Sequence, residues 1–262
     1  MSLFGNLKSD GLEKTQDRLG GGFQPLDTDI YDVTIKALYA GKSPNGAHSI
    51  SIIGTLPDGK EYRETIWITN RKGENWFLNK QDQSKKVPMP GFTIVDDLFQ
   101  IVLGQSLSEV TFEERTLNLW DFDAGKELPK AVNCAVEAHG QVVKLGIWKK
   151  LEDVNKKNEA TGEYEPSGET KEVNAIDKVY HPDLLLTVVE AREAEAKGVE
   201  PVASFHQKWL DKNKGQIRDD RKNKSGAAQS GVKSGPPKAG GSAPAAGGEA
   251  GTARKSLFAN KK

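Results

Sequence analysis

The sequence predicts a mainly β fold with helices toward its C-terminal side. Three observations support this class: alternating apolar and polar residues between positions 29 and 70, one helical pattern over 93–104, and two further strand patterns between positions 115 and 150. Three strands, one helix and two strands is the element order of an OB-fold, a Greek-key barrel that binds oligonucleotides on the face of strands 2 and 3. We therefore expect a five-stranded OB-fold barrel with a helix between strands 3 and 4, appended C-terminal helices and a disordered tail.

The first three strands are predicted from period-two alternation and from the turns that separate them. DIYDVTIKALYAG (29–41) alternates apolar and polar residues, and HSISIIGTL (48–56) follows a loop that contains Pro-Asn-Gly. PDGK (57–60) is a tight turn into EYRETIWITN (61–70). Because successive strand side chains point to opposite faces, one face of the third strand is expected to carry Arg63, Thr65, Trp67 and Thr69, and the other Tyr62, Glu64, Ile66 and Ile68.

One helix is predicted after the third strand. TIVDDLFQIVLG (93–104) spaces its apolar residues at helical intervals, with Thr93 as a candidate cap and Gly104 as the stop. RTLNLWDFD (115–123) and GQVVKLGIWKK (140–150) then return to strand patterns and predict the fourth and fifth strands.

The segment after the fifth strand is expected to extend the domain. The polar, glycine-containing run 155–172 is predicted to be a long exposed hairpin or a flexible loop. Two helices follow, over LLLTVVEAREAEAKG (184–198) and ASFHQKWLDKNKG (203–215), each closed by a glycine after basic residues. They are expected to dock on the barrel through Leu185, Val188 and Val189 in the first helix and Phe205 and Trp209 in the second.

Composition divides the chain into three parts. Residues 1–22 are expected to form an N-terminal arm with one short helix, residues 23–221 the OB-fold domain with its appended helices, and residues 222–262 a disordered basic tail rich in Gly, Ala, Pro and Lys. The chain has 37 basic and 37 acidic residues, but the tail carries eight Lys or Arg and one Glu, which leaves 29 basic and 36 acidic residues elsewhere. Bulk charge therefore does not indicate nucleic-acid binding, and any such case depends on local patches.

The stretch WITNRKGENWF (67–77) interleaves aromatic rings with basic residues around a glycine. Unpaired bases stack on aromatic rings and phosphates need nearby Lys or Arg, so this mixture suits single-stranded nucleic acid. The same stretch also fits an ordinary barrel in which Trp67 faces the core, because a register slip of one residue exchanges the two faces of a strand. In that case Trp76 and Phe77 would close one end of the barrel. The candidate DNA-binding residues are Tyr39, Lys42, Arg63, Trp67, Arg71, Lys72, Trp76, Phe77 and Trp148.

Several runs of the sequence resemble the single-stranded-DNA-binding proteins of schitovirus-type (podovirus) bacteriophages. The resemblance covers about the first two-thirds of the chain and is strongest around TNRKGENWF (69–77) and PGFTIVDDL (90–98). It implies an OB-fold that coats single-stranded DNA without sequence preference during phage replication, recombination and transcription, in the cytoplasm of the infected bacterial host. It also implies partners among the proteins of those processes, with RNA polymerase as one candidate, and it is compatible with a homo-oligomer.

The basic tail departs from the acidic tails with which many DNA-coating proteins of bacteria and phages end. A basic tail cannot occupy a phosphate groove as a decoy, so it is expected to add phosphate contacts or to reach an acidic patch on a partner such as a polymerase. SLFGN (2–6) nearly recurs as SLFAN (256–260). We hypothesise a partner-docking motif formed by Leu257, Phe258, Lys261 and Lys262. The alternative is coincidence between two disordered ends.

The sequence predicts no active site, cofactor or metal. The single cysteine, Cys134, excludes an internal disulfide and a multi-cysteine zinc site. Asp96 and Asp97 are adjacent helix positions, which do not face one another as an acid–base pair would. DFDAGKE (121–127) lacks the later ligands of a calcium loop and is better explained as a turn. No apolar run approaches the length of a bilayer span, so no membrane partner is expected.

Two other functions remain open at this point. One is an OB-fold structural or adaptor protein whose basic tail supplies the only nucleic-acid affinity. The other is a fragment of an OB-bearing nuclease or ligase, which would need catalytic residues that the sequence does not show. Stacking on an aromatic ring does not sense the 2′-hydroxyl, so the residue types do not separate DNA from RNA.

Overall fold

The computed structural model describes residues 24–121, 124–157 and 164–221. In these ranges the chain is mainly β, with ten strands and three α-helices. The strands are β1 (Asp29–Lys42), β2 (His48–Thr55), β3 (Glu61–Trp67), β4 (Trp76–Leu78), β5 (Lys86–Pro88), β6 (Glu113–Asp121), β7 (Lys126–Cys134), β8 (Val142–Lys157), β9 (Tyr164–Tyr180) and β10 (Ile217–Asp219). The helices are α1 (Pro90–Leu103), α2 (Val188–Lys197) and α3 (Phe205–Asn213). The predicted N-terminal arm, residues 1–22, and the predicted tail, residues 222–262, lie outside the described residues.

Strand β1 is long enough to pair with neighbours on both edges. β2 pairs antiparallel with residues 34–42 of β1, and β8 pairs antiparallel with residues 29–34. β3 extends the sheet beyond β2, β9 extends it beyond β8, and β10 lies parallel to β8. The β6–β7 hairpin joins β1 at Tyr39 and Ala40, and β4 and β5 form a separate two-stranded sheet. One long strand therefore connects the meander β1–β2–β3 to the β8–β9 hairpin.

The closed five-stranded barrel expected from the sequence is not shown, because the sheet is open between β3 and β9. Within the described ranges no backbone ladder joins these two strands. They meet instead through the Glu64 carboxylate, whose Oε2 accepts hydrogen bonds from the Ile176 backbone N–H at 2.8 Å and from the Tyr62 hydroxyl at 2.6 Å. Burial raises the pKa of Glu64, although both hydrogen bonds act to lower it. The prediction is thus confirmed for the mainly β class and not for closure.

The hydrophobic core lies between the inner face of the sheet and helix α1. The core includes Val33, Leu38, Ile52 and Ile66 from the first three strands, Val95, Leu98 and Phe99 from α1, and Val143, Leu145 and Ile147 from β8. Helix α1 begins at Pro90 rather than after Thr93, because proline has no N–H to satisfy and its fixed φ suits the first helical position. It ends at Gly104, as predicted, where φ is +70°.

The strands that the sequence did not predict are exposed along much of their length. β7 and most of β9 have few buried side chains, so no strong apolar period marks them. The run expected to be an exposed hairpin or a loop contributes residues 155–157 and 164–172 to the β8–β9 hairpin. These segments are stabilised by pairing with a neighbouring strand. A short stretch of sequence does not show that pairing.

The two appended helices are present close to their predicted bounds. The Thr187 hydroxyl caps α2 by accepting a hydrogen bond from the Glu190 backbone N–H at 3.2 Å. The helix then begins at Val188, whose side chain is buried in the core. Val189 is exposed, so its predicted docking role is wrong. In α3, Trp209 is buried, and its Nε1 donates to Asp177 at 2.7 Å. Across the described ranges, every helix is too short or too polar to span a lipid bilayer.

Candidate nucleic-acid interface

The outer face of β3 carries the side chains that the alternation predicts. Tyr62 and Ile66 are buried, whereas Trp67 is 47% exposed. Trp67 lies opposite Ser49 of β2, and Thr65 lies opposite Ser51. The indole of Trp67 therefore stands on the solvent side of the sheet, where a flat ligand can reach it.

A tight turn after β3 places two cations beside Trp67. The Asn70 side-chain oxygen accepts the backbone N–H groups of Lys72 at 2.9 Å and Glu74 at 3.0 Å, and Gly73 takes a φ of +80° that favours glycine. Arg71 and Lys72 are exposed. Neither has a carboxylate within ion-pair distance in the part of the chain that the structure describes. Both charges are thus available to a phosphate.

The loop between β1 and β2 adds a third cation at the same end of the sheet. A Cβ on Gly46 would lie 2.9 Å from the Arg71 carbonyl oxygen, so the two loops are in close backbone contact. Lys42 ends β1 opposite His48, whose N–H donates to the Thr69 hydroxyl at 2.8 Å. Lys42 is exposed, and no described carboxylate pairs with it. We call Trp67 with Lys42, Arg71 and Lys72 the Trp67 end.

The β4–β5 hairpin brings Trp76 and Phe77 toward the Trp67 end. The Met89 N–H donates to the Asn75 carbonyl at 2.8 Å, which ties the hairpin to the start of α1. Lys86 Nζ lies 3.9 Å from the centroid of the Trp76 ring, a cation–π contact that covers one ring face. Phe77 is exposed and Trp76 is half-buried. Trp76 is therefore a less accessible stacking surface than Trp67.

The first turn of helix α1 packs against the backbone of Trp67 at Gly91. A Cβ on Gly91 would overlap the Trp67 carbonyl oxygen and would lie 3.0 Å from the Ile66 side chain. The first turn of α1 therefore rests directly on the backbone of β3. This contact holds the backbone that carries the Trp67 indole.

The guanidinium of Arg63 already forms ion pairs with carboxylates. Its guanidinium pairs with Glu61 and, through Nη2, with Glu127 of β7 at 3.0 Å. Glu61 also pairs with Lys36 at 2.7 Å. Arg63 thus links β3 to the β6–β7 hairpin, and it offers less to a phosphate than Arg71 or Lys72.

The β6–β7 hairpin folds over part of the outer face and leaves a groove of about 280 Å³. Ala37, Ile53 and Leu119 form a small second core where the hairpin meets the sheet. The hairpin groove is lined by residues that include Tyr39, Ser51, Thr65, Trp120 and Lys130. Of the predicted site residues, Tyr39 and Arg63 line this groove rather than the Trp67 end.

Trp120 is a further candidate site residue that was not predicted from the sequence. It is 48% exposed on β6, while its neighbour Leu119 is buried against the sheet. The signal was present, because alternation in 115–123 places Leu117 and Leu119 on one face and Trp120 on the other. A tryptophan on the polar face of a strand marks a candidate contact residue.

Trp148 lies apart from the other candidate DNA-binding residues. It lies on β8, which pairs with the opposite edge of β1 from β2 and β3. Its ring packs edge-on against Trp209 of α3, with centroids 5.9 Å apart and an interplanar angle of 66°. The neighbouring Lys149 pairs with Glu172 at 3.2 Å and with Asp27 at 3.4 Å. This geometry gives Trp148 a role in docking α3.

The predicted partner-docking residues Leu257, Phe258, Lys261 and Lys262 lie outside the described residues. Within the described ranges there is no group of three or more His, Cys, Asp or Glu side chains that could hold a metal ion. Cys134 is fully buried, and this burial raises the pKa of its thiol.

Neither a protein-family model nor a curated protein matches the chain.

Proposed function

We propose that this protein binds single-stranded DNA without sequence preference, with bases stacked on the outer face of β3 and phosphates held at the Trp67 end. The observation that carries the proposal is the exposed indole of Trp67 beside Arg71 and Lys72, two cations that no described carboxylate neutralises. Stacking on an exposed ring is worth about 1–3 kcal/mol per base and is tolerant of sequence.

Local charge supports this location despite the acidic balance of the domain. Residues 70–88 carry five basic residues and two acidic ones, a net charge of +3, although residues 1–221 as a whole have a net charge of −7. A phosphate chain is therefore attracted to one part of the surface and repelled by the rest. This asymmetry orients a single strand along the outer face.

The strand order supports an OB-type arrangement as the finer description of the fold. The path β3–β2–β1–β8–β9 has α1 between β3 and β8, and Glu64 connects its two ends. Together with the resemblance of TNRKGENWF to phage proteins, this supports a DNA-coating role in phage replication, recombination and transcription inside the infected bacterium. The basic tail would then contact further phosphates or partner proteins.

Titration of oligo(dT) against a chain that ends at Arg221 tests the proposal. We expect the truncated chain to bind oligo(dT) with quenching of tryptophan emission, because Trp67 and the cations beside it lie within residues 24–221. The full chain is the control and should bind more tightly at low salt, since its tail adds eight Lys or Arg. A full chain that binds and a truncated chain that does not would support the adaptor function instead.

The Arg71→Gln/Lys72→Gln variant should lower the salt dependence of binding. Two lost phosphate contacts reduce the slope of log K against log salt concentration by roughly 1.4, at about 0.7 per contact on a single strand. The slope is measured from oligo(dT) affinities between low and moderate KCl concentrations.

The matched control for the salt slope is Arg63→Gln with Glu127→Gln, which removes a cation and its carboxylate partner together. We expect it to keep the slope of the unmodified protein and to cost at most about 1 kcal/mol of stability, as is usual for an exposed pair. An equal loss of slope in both variants would contradict the assignment of phosphates to the Trp67 end.

A further inference from the structure

The hairpin groove is lined by two aromatic side chains, Tyr39 and Trp120, and by the hydroxyls of Ser51 and Thr65. Trp120 is 48% exposed, and Tyr39 lies next to Ser51 in the β1–β2 register. The Ser51 and Thr65 hydroxyls are 2.8 Å apart and hydrogen-bonded. Only one hydroxyl hydrogen is used in that bond, so the pair keeps one O–H donor for a ligand.

The cations of the groove are neutralised by their own carboxylates. Lys130 Nζ lies 2.8 Å from Asp121 Oδ2, and Arg63 is held by Glu61 and Glu127. With Lys36, which also pairs with Glu61, these groups sum to a charge of zero, so the groove offers little attraction to a phosphate. A flat, uncharged ring with hydrogen-bonding atoms on its edge fits it better.

We propose that the hairpin groove is a nucleobase subsite, in which one unpaired base stacks on Trp120 and its exocyclic oxygen or ring nitrogen accepts a hydrogen bond from the Ser51–Thr65 pair. This inference rests on the proposed function, because it assigns the base and the phosphate of one strand to different parts of the same face. It adds a contact residue, Trp120, that belongs to a hairpin outside the β1–β2–β3 meander.

The register places the Ser51–Thr65 pair and Trp67 within reach of one strand of DNA. Thr65 at the groove floor and Trp67 are two residues apart on β3, about 6.8 Å along the strand, which is of the order of one nucleotide step in an extended single strand. A strand whose base bonds to the Ser51–Thr65 pair can therefore place its next base at Trp67, with its phosphates near Arg71 and Lys72.

The test compares Trp120→Leu with Trp120→Phe in the full-length protein. Loss of the ring should weaken oligo(dT) binding by about tenfold, and the phenylalanine variant should retain most of the affinity because it keeps a stacking face. The matched control is Tyr164→Leu, which removes an exposed ring at the first residue of β9. That control should bind as the unmodified protein does.

An abasic oligodeoxynucleotide of the same length separates base stacking from a structural effect. Measured at a salt concentration where the abasic strand still binds, Trp120→Leu should bind it as tightly as the unmodified protein does, because no base is present to stack. A similar loss with oligo(dT) and with the abasic strand would overturn the subsite, as would oligo(dT) binding that is unaffected by Trp120→Leu. Failure of the unmodified protein to bind oligo(dT) would overturn the proposed function itself.

Discussion

Replacing Trp67 by alanine is expected to weaken oligo(dT) binding by about ten- to a hundredfold, with no change in the salt slope. The indole is half-exposed on the outer face of β3 and has no cation over its ring among the described residues, so its free face is available to a base. Trp76→Ala should have a smaller effect, because Lys86 already covers one face of that ring. Fluorescence anisotropy of a labelled oligo(dT) at several KCl concentrations measures both affinity and slope.

Trp67→Phe is the matched control for this change. It retains an aromatic face at the same position, so it should keep most of the affinity. Thermal unfolding should show that Trp67→Ala, Trp67→Phe and the unmodified protein are all folded. If Trp67→Ala binds as tightly as the unmodified protein, then the outer face of β3 is not the stacking surface. The cations at its end would in that case serve another ligand.

Replacing Gly91 by alanine is expected to lower both stability and DNA affinity. The added Cβ would overlap the Trp67 carbonyl oxygen, which is backbone and cannot rotate away, so α1 or β3 must shift. Overpacking of this kind costs about 1–3 kcal/mol, and we expect the upper part of that range. Because the shift displaces the backbone that carries Trp67, oligo(dT) affinity should fall several-fold. Urea unfolding and anisotropy measure the two effects.

Gly59→Ala distinguishes this contact from a general cost of losing glycine. Gly59 has a φ of +83° and no atom within 4 Å of an added Cβ, so alanine should cost roughly 1–2 kcal/mol from backbone strain alone. Its oligo(dT) affinity should be unchanged. Gly91→Ala with the stability of the unmodified protein would mean that the first turn of α1 does not rest on Trp67.

Local periodicity of apolar residues predicted the elements that bury one face in the main core. The alternation in 61–70 put Tyr62 and Ile66 on the face opposite Trp67, as the structure has them, and the helical spacing in 93–104 located α1 and its end at Gly104. It did not predict β7 or residues 173–180 of β9, which have few buried side chains and no strong apolar period. These strands exist because they pair with β6 and β8, and pairing is not a property of a short window of sequence.

The roles of single charged and aromatic residues were harder to predict than the strands themselves. Arg63 was expected on the outer face and lies there, but its charge is bound by Glu127, which is 64 residues away in the sequence. Trp148 belongs to a predicted strand, yet its ring packs against Trp209 from a helix near the end of the described chain. Residue type alone does not distinguish an available ring or cation from one that is already in contact.

The sequence by itself determined the mainly β class, the positions of the three helices and the separation of Trp67 from Tyr62 and Ile66 on opposite faces of β3, because each follows from a periodic pattern within ten to fifteen residues. Only the tertiary structure decided that Trp67 points to solvent, that the sheet stays open at Glu64 and that the β6–β7 hairpin brings Trp120 over the outer face. It also decided that Arg63 pairs with Glu127, whereas no carboxylate of the described ranges pairs with Arg71 or Lys72. The physical reason is that burial, ion pairing and ring stacking depend on distances between segments that are far apart in the chain.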